Sequence, residues 1–134
     1  MNAIKLCTQA QVEMFGNARL ELVDEITTPE VIDHGVPTGA THGREALKGT
    51  ISWLHSGLDD VSYEVEDAFQ SDDKVVLRCT FRATNTRAWM GHPPTGKSCA
   101  VDHIHIYRLE DDLVAEHWGT RDDLGMLQQI GHLN

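Results

Sequence analysis

Val75-Val76-Leu77-Arg78-Cys79-Thr80-Phe81-Arg82-Ala83 sets an apolar side chain at every second position, so that Val75, Leu77, Cys79, Phe81 and Ala83 share one face. A period of two is that of a β-strand with one buried face. Downstream, Met90-Gly91-His92-Pro93-Pro94-Thr95-Gly96 reads as a loop, because glycine and proline break both kinds of regular structure. A further strand follows, with Cys99, Val101, His103, His105 and Tyr107 on one face. Asp111-Asp112 turns the chain into a last strand, Leu113 to Trp118. Upstream, Ser71-Asp72-Asp73 is a turn, preceded by a strand in which Val61, Tyr63, Val65 and Phe69 form the apolar face.

Before residue 58 the period changes to three and four. Leu47, Ile51, Leu54 and Leu58 mark one helix, and Leu20, Val23 and Ile26 a shorter one ended by Thr27-Thr28-Pro29. Ala3, Cys7, Ala10 and Met14 mark the first helix, which stops near Gly16-Asn17. Val31 to Gly39 reads as an irregular connection around His34. Asp122 or Asp123 caps a closing helix that carries Leu124, Leu127 and Ile130. Helices followed by a meander of strands predict an α+β fold of one domain, residues 1–134. In it, three N-terminal helices pack on a strongly curved, mainly antiparallel sheet and enclose a central pocket for a small molecule.

The charge balance narrows the partners. Eleven basic against 21 acidic residues give −10, a surface that repels phosphate backbones and anionic lipid, so neither nucleic acid nor membrane is an expected partner. No apolar run approaches the ~20 residues that span a bilayer, and Met1 to Phe15 contains no signal-peptide core. Cys7, Cys79 and Cys99 are too far apart for metal-ligand spacing; as an odd set they suggest reduced, buried thiols and a cytoplasmic location. No G-x-S-x-G, P-loop or G-x-G-x-x-G sequence supports a serine nucleophile or a nucleotide cofactor.

Several side chains carry chemistry. His103 and His105 lie two apart on one strand and therefore project to the same side, where buried imidazoles need polar partners. His117 lies on the opposite face of its strand from Glu116 and Trp118. With Tyr107, Phe15 and Trp53, His103, His117 and Trp118 make a set of substrate contacts. Gly96, His103-Ile104-His105, Glu110 and His117 loosely follow a cupin metal pattern. The spacings do not fit it, and the helical first half is foreign to an all-β cupin, so no metal and no cofactor are expected.

Phe15-Gly16-Asn17, Ile32-Asp33-His34, Gly91-His92-Pro93-Pro94-Thr95-Gly96-Lys97, Ile106-Tyr107-Arg108, Glu116-His117-Trp118, Asp122 and Leu127-Gln128-Gln129-Ile130-Gly131 recur in order along the chain. This series resembles the SnoaL-like polyketide cyclases and predicted ester cyclases of the NTF2-like superfamily. The resemblance implies a cone fold, dimerisation through the sheet, and cofactor-free acid–base catalysis on a small, largely apolar, carbonyl-containing substrate. It also implies that an aspartate after the last strand removes a proton beside the carbonyl and that the enolate then closes a ring by aldol addition, or isomerises. The matching position is Asp122, whose pKa an apolar pocket would raise toward that of a useful base, with His105 and His34 as supporting donors. Related members have an aspartate near the place of His105. Epoxide or ester hydrolysis on the same scaffold, and a non-catalytic dimer that binds a hydrophobic ligand, are the alternative functions.

Overall fold

The computed structural model describes residues 2–35 and 39–133. Helix α1 (Ala3–Gln9) starts at Asn2, whose side chain accepts a hydrogen bond from the Lys5 backbone N–H at 3.1 Å. It runs on as a π-helical turn, Ala10–Phe15, closed by Gly16 N–H donating to the Gln11 carbonyl at 3.1 Å. The wider turn brings Gln11, Met14 and Phe15 together into the interior. Then come α2 (Glu21–Ile26), β1 (Thr27–Asp33), β2 (Thr41–His42), α3 (Arg44–Leu54), β3 (Leu58–Ser71), β4 (Lys74–Asn85), β5 (Ser98–Glu110), β6 (Leu113–Arg121) and α4 (Asp123–Gln129).

The strands form one sheet in the order β2-β1-β6-β5-β4-β3. All neighbours are antiparallel except β1 and β6, which run parallel. The alternation that defines β4 and β5 holds: Val75, Leu77, Cys79, Phe81 and Ala83 are buried, and so are Cys99, Val101, His103, His105 and Tyr107. Extra residues bend the sheet. In β3 the register slips between Asp59 and Ser62, where Asp60 has φ +53°, and again between Val65 and Asp67. Such bulges kink a strand and deepen its twist, and the curved inner face then wraps the helices.

Four expectations need correction. The segment after α2 is no loop: the β-branched Thr27, Thr28, Val31 and Ile32 make β1. Pro29 is tolerated there because the pairing with β6 slips between Thr27 and Ile32, so its missing N–H breaks no regular ladder. Residues 36–38 of the expected connection lie outside the described residues. Among the described residues there are four α-helices, three before the long strands and α4 after them, and the first passes into the π turn instead of running regularly to Met14. Helix α3 ends at Leu54, and Leu58 already belongs to β3. Finally, the bulge at Val65/Asp67 shifts parity by one residue, so Ala68 follows Val65 on the inner face and Phe69 is turned out, 56% exposed.

Candidate functional site

The parallel pairing of β1 with β6 sets Asp33 opposite His117, and the antiparallel pairing of β6 with β5 brings His117 beside His105. The side chains join in a row. Asp33 Oδ1 is 2.8 Å from His117 Nδ1, His117 Nε2 is 2.9 Å from His105 Nδ1, and His105 Nε2 is 3.0 Å from His103 Nδ1. None of the four residues is more than 5% exposed. Asp33 Oδ1 also accepts from the Gly35 N–H at 2.8 Å. His103 Nε2 closes the row without a partner among the described residues, and His103 lines a cavity.

That cavity has a volume of about 150 Å³. Phe15, Leu54, Phe81, Trp89, Met126 and Leu127 form its apolar wall, while Asp33, Tyr63, the three histidines, Arg121 and Asp123 supply polar groups. Trp53 and Met90 line it and are 40% and 50% exposed, which places them at its mouth. Trp89 reaches its position because Gly57 has no side chain: a Cβ there would lie 2.4 Å from that of Trp89. Arg121 donates to the Gly35 carbonyl and lies 3.4 Å from Asp123 Oδ1.

Burial opposes charge at His103, His105 and Asp33. It is the main force holding the His103 pKa down, to about 3, with repulsion from Arg121, and from His117 whenever that ring is protonated, acting the same way. His105 is pushed well below its ordinary value, first by burial and then by His117, His103 and Arg121. Burial works against the Asp33 carboxylate too, but His117, the Gly35 N–H and Arg121 outweigh it, so its pKa is lowered and the group is ionised at neutral pH. The site is thus a buried anion in line with imidazoles, of which His103 and His105 stay uncharged at neutral pH and so keep a lone pair. Such rings can take up a proton from a bound molecule and return it.

The histidines expected to share a face do so. His103, His105, His117, Phe15 and Trp53 all line the cavity. Asp122 does not line it: it is exposed and serves as N-cap of α4, accepting from Gly125 N–H at 2.9 Å. Its neighbours in sequence, Arg121 and Asp123, reach the cavity instead. His34 points away from the cavity; on the outer side of the sheet it meets Glu116 at 2.6 Å and stacks on Trp118 at 5.2 Å. Alternation along β1 therefore turns Asp33, not His34, inward. Trp118 belongs to that same outer cluster, away from the substrate wall. Tyr107 is fully buried beneath the cavity, its hydroxyl donating to Gln11 Oε1 at 2.6 Å. Asp33 and Arg121 were not singled out from sequence. Stepping by two from His117 reaches Arg121, whereas Asp33 appears there only within Ile32-Asp33-His34, and its inward side could be found only by reading β1 as a strand. Among the described residues no group of three or more histidine, cysteine, aspartate or glutamate side chains is placed to hold a metal ion; the three imidazoles bond to one another in line instead of converging.

Comparison with known proteins follows the same outline. The family model described as SnoaL-like polyketide cyclase matches residues 5–130. Aklanonic acid methyl ester cyclase DauD of Streptomyces sp. (strain C5) is 22% identical over 123 residues, covering 90% of this chain and 76% of its own. The crystal structure of IdmH from Streptomyces antibioticus superposes with a TM-score of 0.85 at 27% identity, over 98% of this chain and 99% of that one. A protein of Catenulispora acidiphila DSM 44928 with a ketosteroid isomerase-like fold superposes with a TM-score of 0.78 at 15% identity, over 94% of this chain and 92% of its own, a likeness of fold alone.

Proposed function

Because this chain belongs to the SnoaL-like polyketide cyclase family, we propose that it is a cofactor-independent enzyme that closes a ring in a small, largely apolar, polyketide-type substrate. The observation that carries this reading is the unpartnered His103 Nε2 at an otherwise mostly apolar cavity. A C–H bond beside a carbonyl gives its proton to that nitrogen, and the electron pair moves into an enolate. The enolate carbon adds to a second carbonyl carbon, forming the C–C bond, and the resulting alkoxide takes the proton back. The product is an isomer of the substrate, and no oxidant or reductant is consumed. Arg121 supplies the positive charge that steadies the enolate oxygen. A cavity of about 150 Å³ accommodates roughly one benzene-sized ring. The reacting end of the substrate therefore enters, and the remainder lies over Trp53 and Met90.

The active species is a homodimer joined through the outer face of the sheet. The register aligns Phe69 with Val76, Val76 with Ile106, and Ile106 with Trp118, so an apolar stripe crosses four strands on the outer face of the sheet. Ile104, 38% exposed, lies beside it.

The test is turnover of a panel of polyketide methyl esters and β-dicarbonyl compounds, with epoxides and simple esters alongside, by wild type and His103→Gln. Ring closure that falls roughly 10²–10⁴-fold in the variant is the expected result. Hydrolysis of the epoxides or esters would instead assign the base to water activation. Tight binding of panel members with no reaction would leave a ligand-binding protein.

A further inference from the structure

We infer that Asp33, His117, His105 and His103 act as a one-proton store with a built-in direction, in which Asp33 determines which nitrogen of every ring carries hydrogen. This rests on the acid–base reading above and adds a positioning role for three residues that need not touch substrate.

The argument starts from which atoms can donate. An ionised carboxylate only accepts, so the 2.8 Å contact requires hydrogen on His117 Nδ1. A neutral imidazole has a single N–H, which leaves His117 Nε2 an acceptor. The 2.9 Å contact then requires hydrogen on His105 Nδ1, and the 3.0 Å contact requires it on His103 Nδ1. With three neutral rings, one arrangement satisfies all three bonds, and it places a lone pair on His103 Nε2. No ring is free to choose its tautomer independently, because each choice is forced by the ring nearer Asp33.

Adding one proton reverses the row. A proton arriving from substrate forms a bond to His103 Nε2. The His103 Nδ1 proton passes to His105 Nε2, and the His105 Nδ1 proton passes to His117 Nε2. Each nitrogen that loses a proton becomes an acceptor, and His117 ends with hydrogen on both nitrogens. Its positive charge lies against Asp33 and away from the reacting carbon. The reverse sequence delivers a proton from His103 Nε2 to the product alkoxide. The charged groups around the rings favour this end state. Arg121 on β6, the register partner of His103, repels a cation at that end, while Asp33 on β1 attracts one at the other. Tyr63 on β3 and Cys79 on β4 also face the row; burial raises the pKa of both, so they stay uncharged. Asp123 is the remaining charged group at the cavity.

The packing holds the rings in this line. Phe81 stacks on His103 at 4.8 Å, and Tyr63 meets the edges of His103 and His105 at 5.6 Å each. Gly119 leaves space for the middle bond: a Cβ there would lie 3.1 Å from His105 Nδ1, the atom that bonds His117.

The test is ¹⁵N NMR of histidine-labelled wild type at pH 7 without substrate, with signals assigned by their loss in single His→Gln variants. Three neutral rings with hydrogen on Nδ1 are expected, the less common tautomer in water. Hydrogen on His103 Nε2, or an imidazolium among the three at rest, would overturn the store whatever the enzyme turns over. In Asp33→Asn the Nδ1 tautomer of His103 should be lost and kcat should fall roughly 10²-fold or more, with KM changed by less than about threefold. Asp33→Glu should recover part of both. An unchanged His103 tautomer in Asp33→Asn would refute the role of Asp33; should that variant not fold, the wild-type spectrum decides. Wild type with the expected tautomers but no carbonyl chemistry would keep the store and remove the cyclase reading.

Discussion

Protonating His103 inside the folded protein is costly, and this makes stability depend on pH. Between the ordinary histidine value of 6.5 and about 3, the unfolded chain binds a proton that the folded chain refuses. Stability is therefore unaffected by this group above that window and falls as pH drops through it. The slope is about 1.4 kcal/mol per pH unit for each such ring, and His105 acts in the same direction. Asp33 acts in the same direction over a lower window: its lowered pKa contributes stability that is full above its ordinary value of 3.8 and is lost as pH falls below it. The urea midpoint should fall steadily from pH 6.5 to pH 4.5 and less steeply in His103→Gln. A flat wild-type profile would show that His103 is not held neutral by burial. The thiols give a second expectation. Burial pushes Cys7 up to about 12 and Cys79 up to about 11, so little thiolate exists at pH 8. A thiol reagent should label these residues only at the rate of unfolding; immediate labelling would count against the packing of β4 and α1.

At the scale of elements, the helix cap and the site separate cleanly. Asp122→Ala removes the bond to Gly125 N–H, worth about 1 kcal/mol, and should lower Tm by roughly 3–5 °C with kcat within about threefold of wild type. A loss of turnover on the scale of His103→Gln would return Asp122 to the mechanism. Gly119→Ala should do the reverse, leaving a folded protein with an impaired row, measured by the His105 and His117 ring signals. The difference between these two positions also explains what the sequence conveyed. Strands β4 and β5 were legible because each buried face alternates without interruption, and with them came the shared face of His103 and His105. Strand β1 was hidden because Thr27-Thr28-Pro29 has the chemistry of a helix stop, and only the irregular pairing with β6 makes room for that proline. With β1 went the inward side of the Asp33-His34 pair. Phe69 was misplaced for a similar reason, since a bulge changes parity without leaving a distinctive residue behind. Asp122 satisfied both a cap and a base as a residue type, and its exposure is a property of the corner between β6 and α4 that no spacing encodes.

For the whole molecule, the outer stripe of Phe69, Val76, Ile106 and Trp118 is the surface to test. The expected species is a dimer of about twice 14.9 kDa by light scattering at micromolar concentration. Phe69→Asp should shift it toward monomer with little change in the histidine spectra, because Phe69 lies on the opposite face from the cavity. A wild-type monomer at that concentration would remove the dimer. One further consequence comes from the parallel pairing of β1 with β6. It joins segments 84 residues apart, and the Asp33–His117 bond lies on that seam. Contacts so distant along the chain carry a high loop-closure entropy and tend to form late. The β3–β5 meander, by contrast, can zip locally between adjacent strands. Secondary structure and most of the hydrophobic burial can therefore be complete while the first ring of the row still lacks its carboxylate. On refolding, enzymatic competence should return with the slowest kinetic phase, after the far-ultraviolet signal, and a chain whose β1 has not yet docked on β6 would have a sheet and its three histidines but no carboxylate at the end of the row.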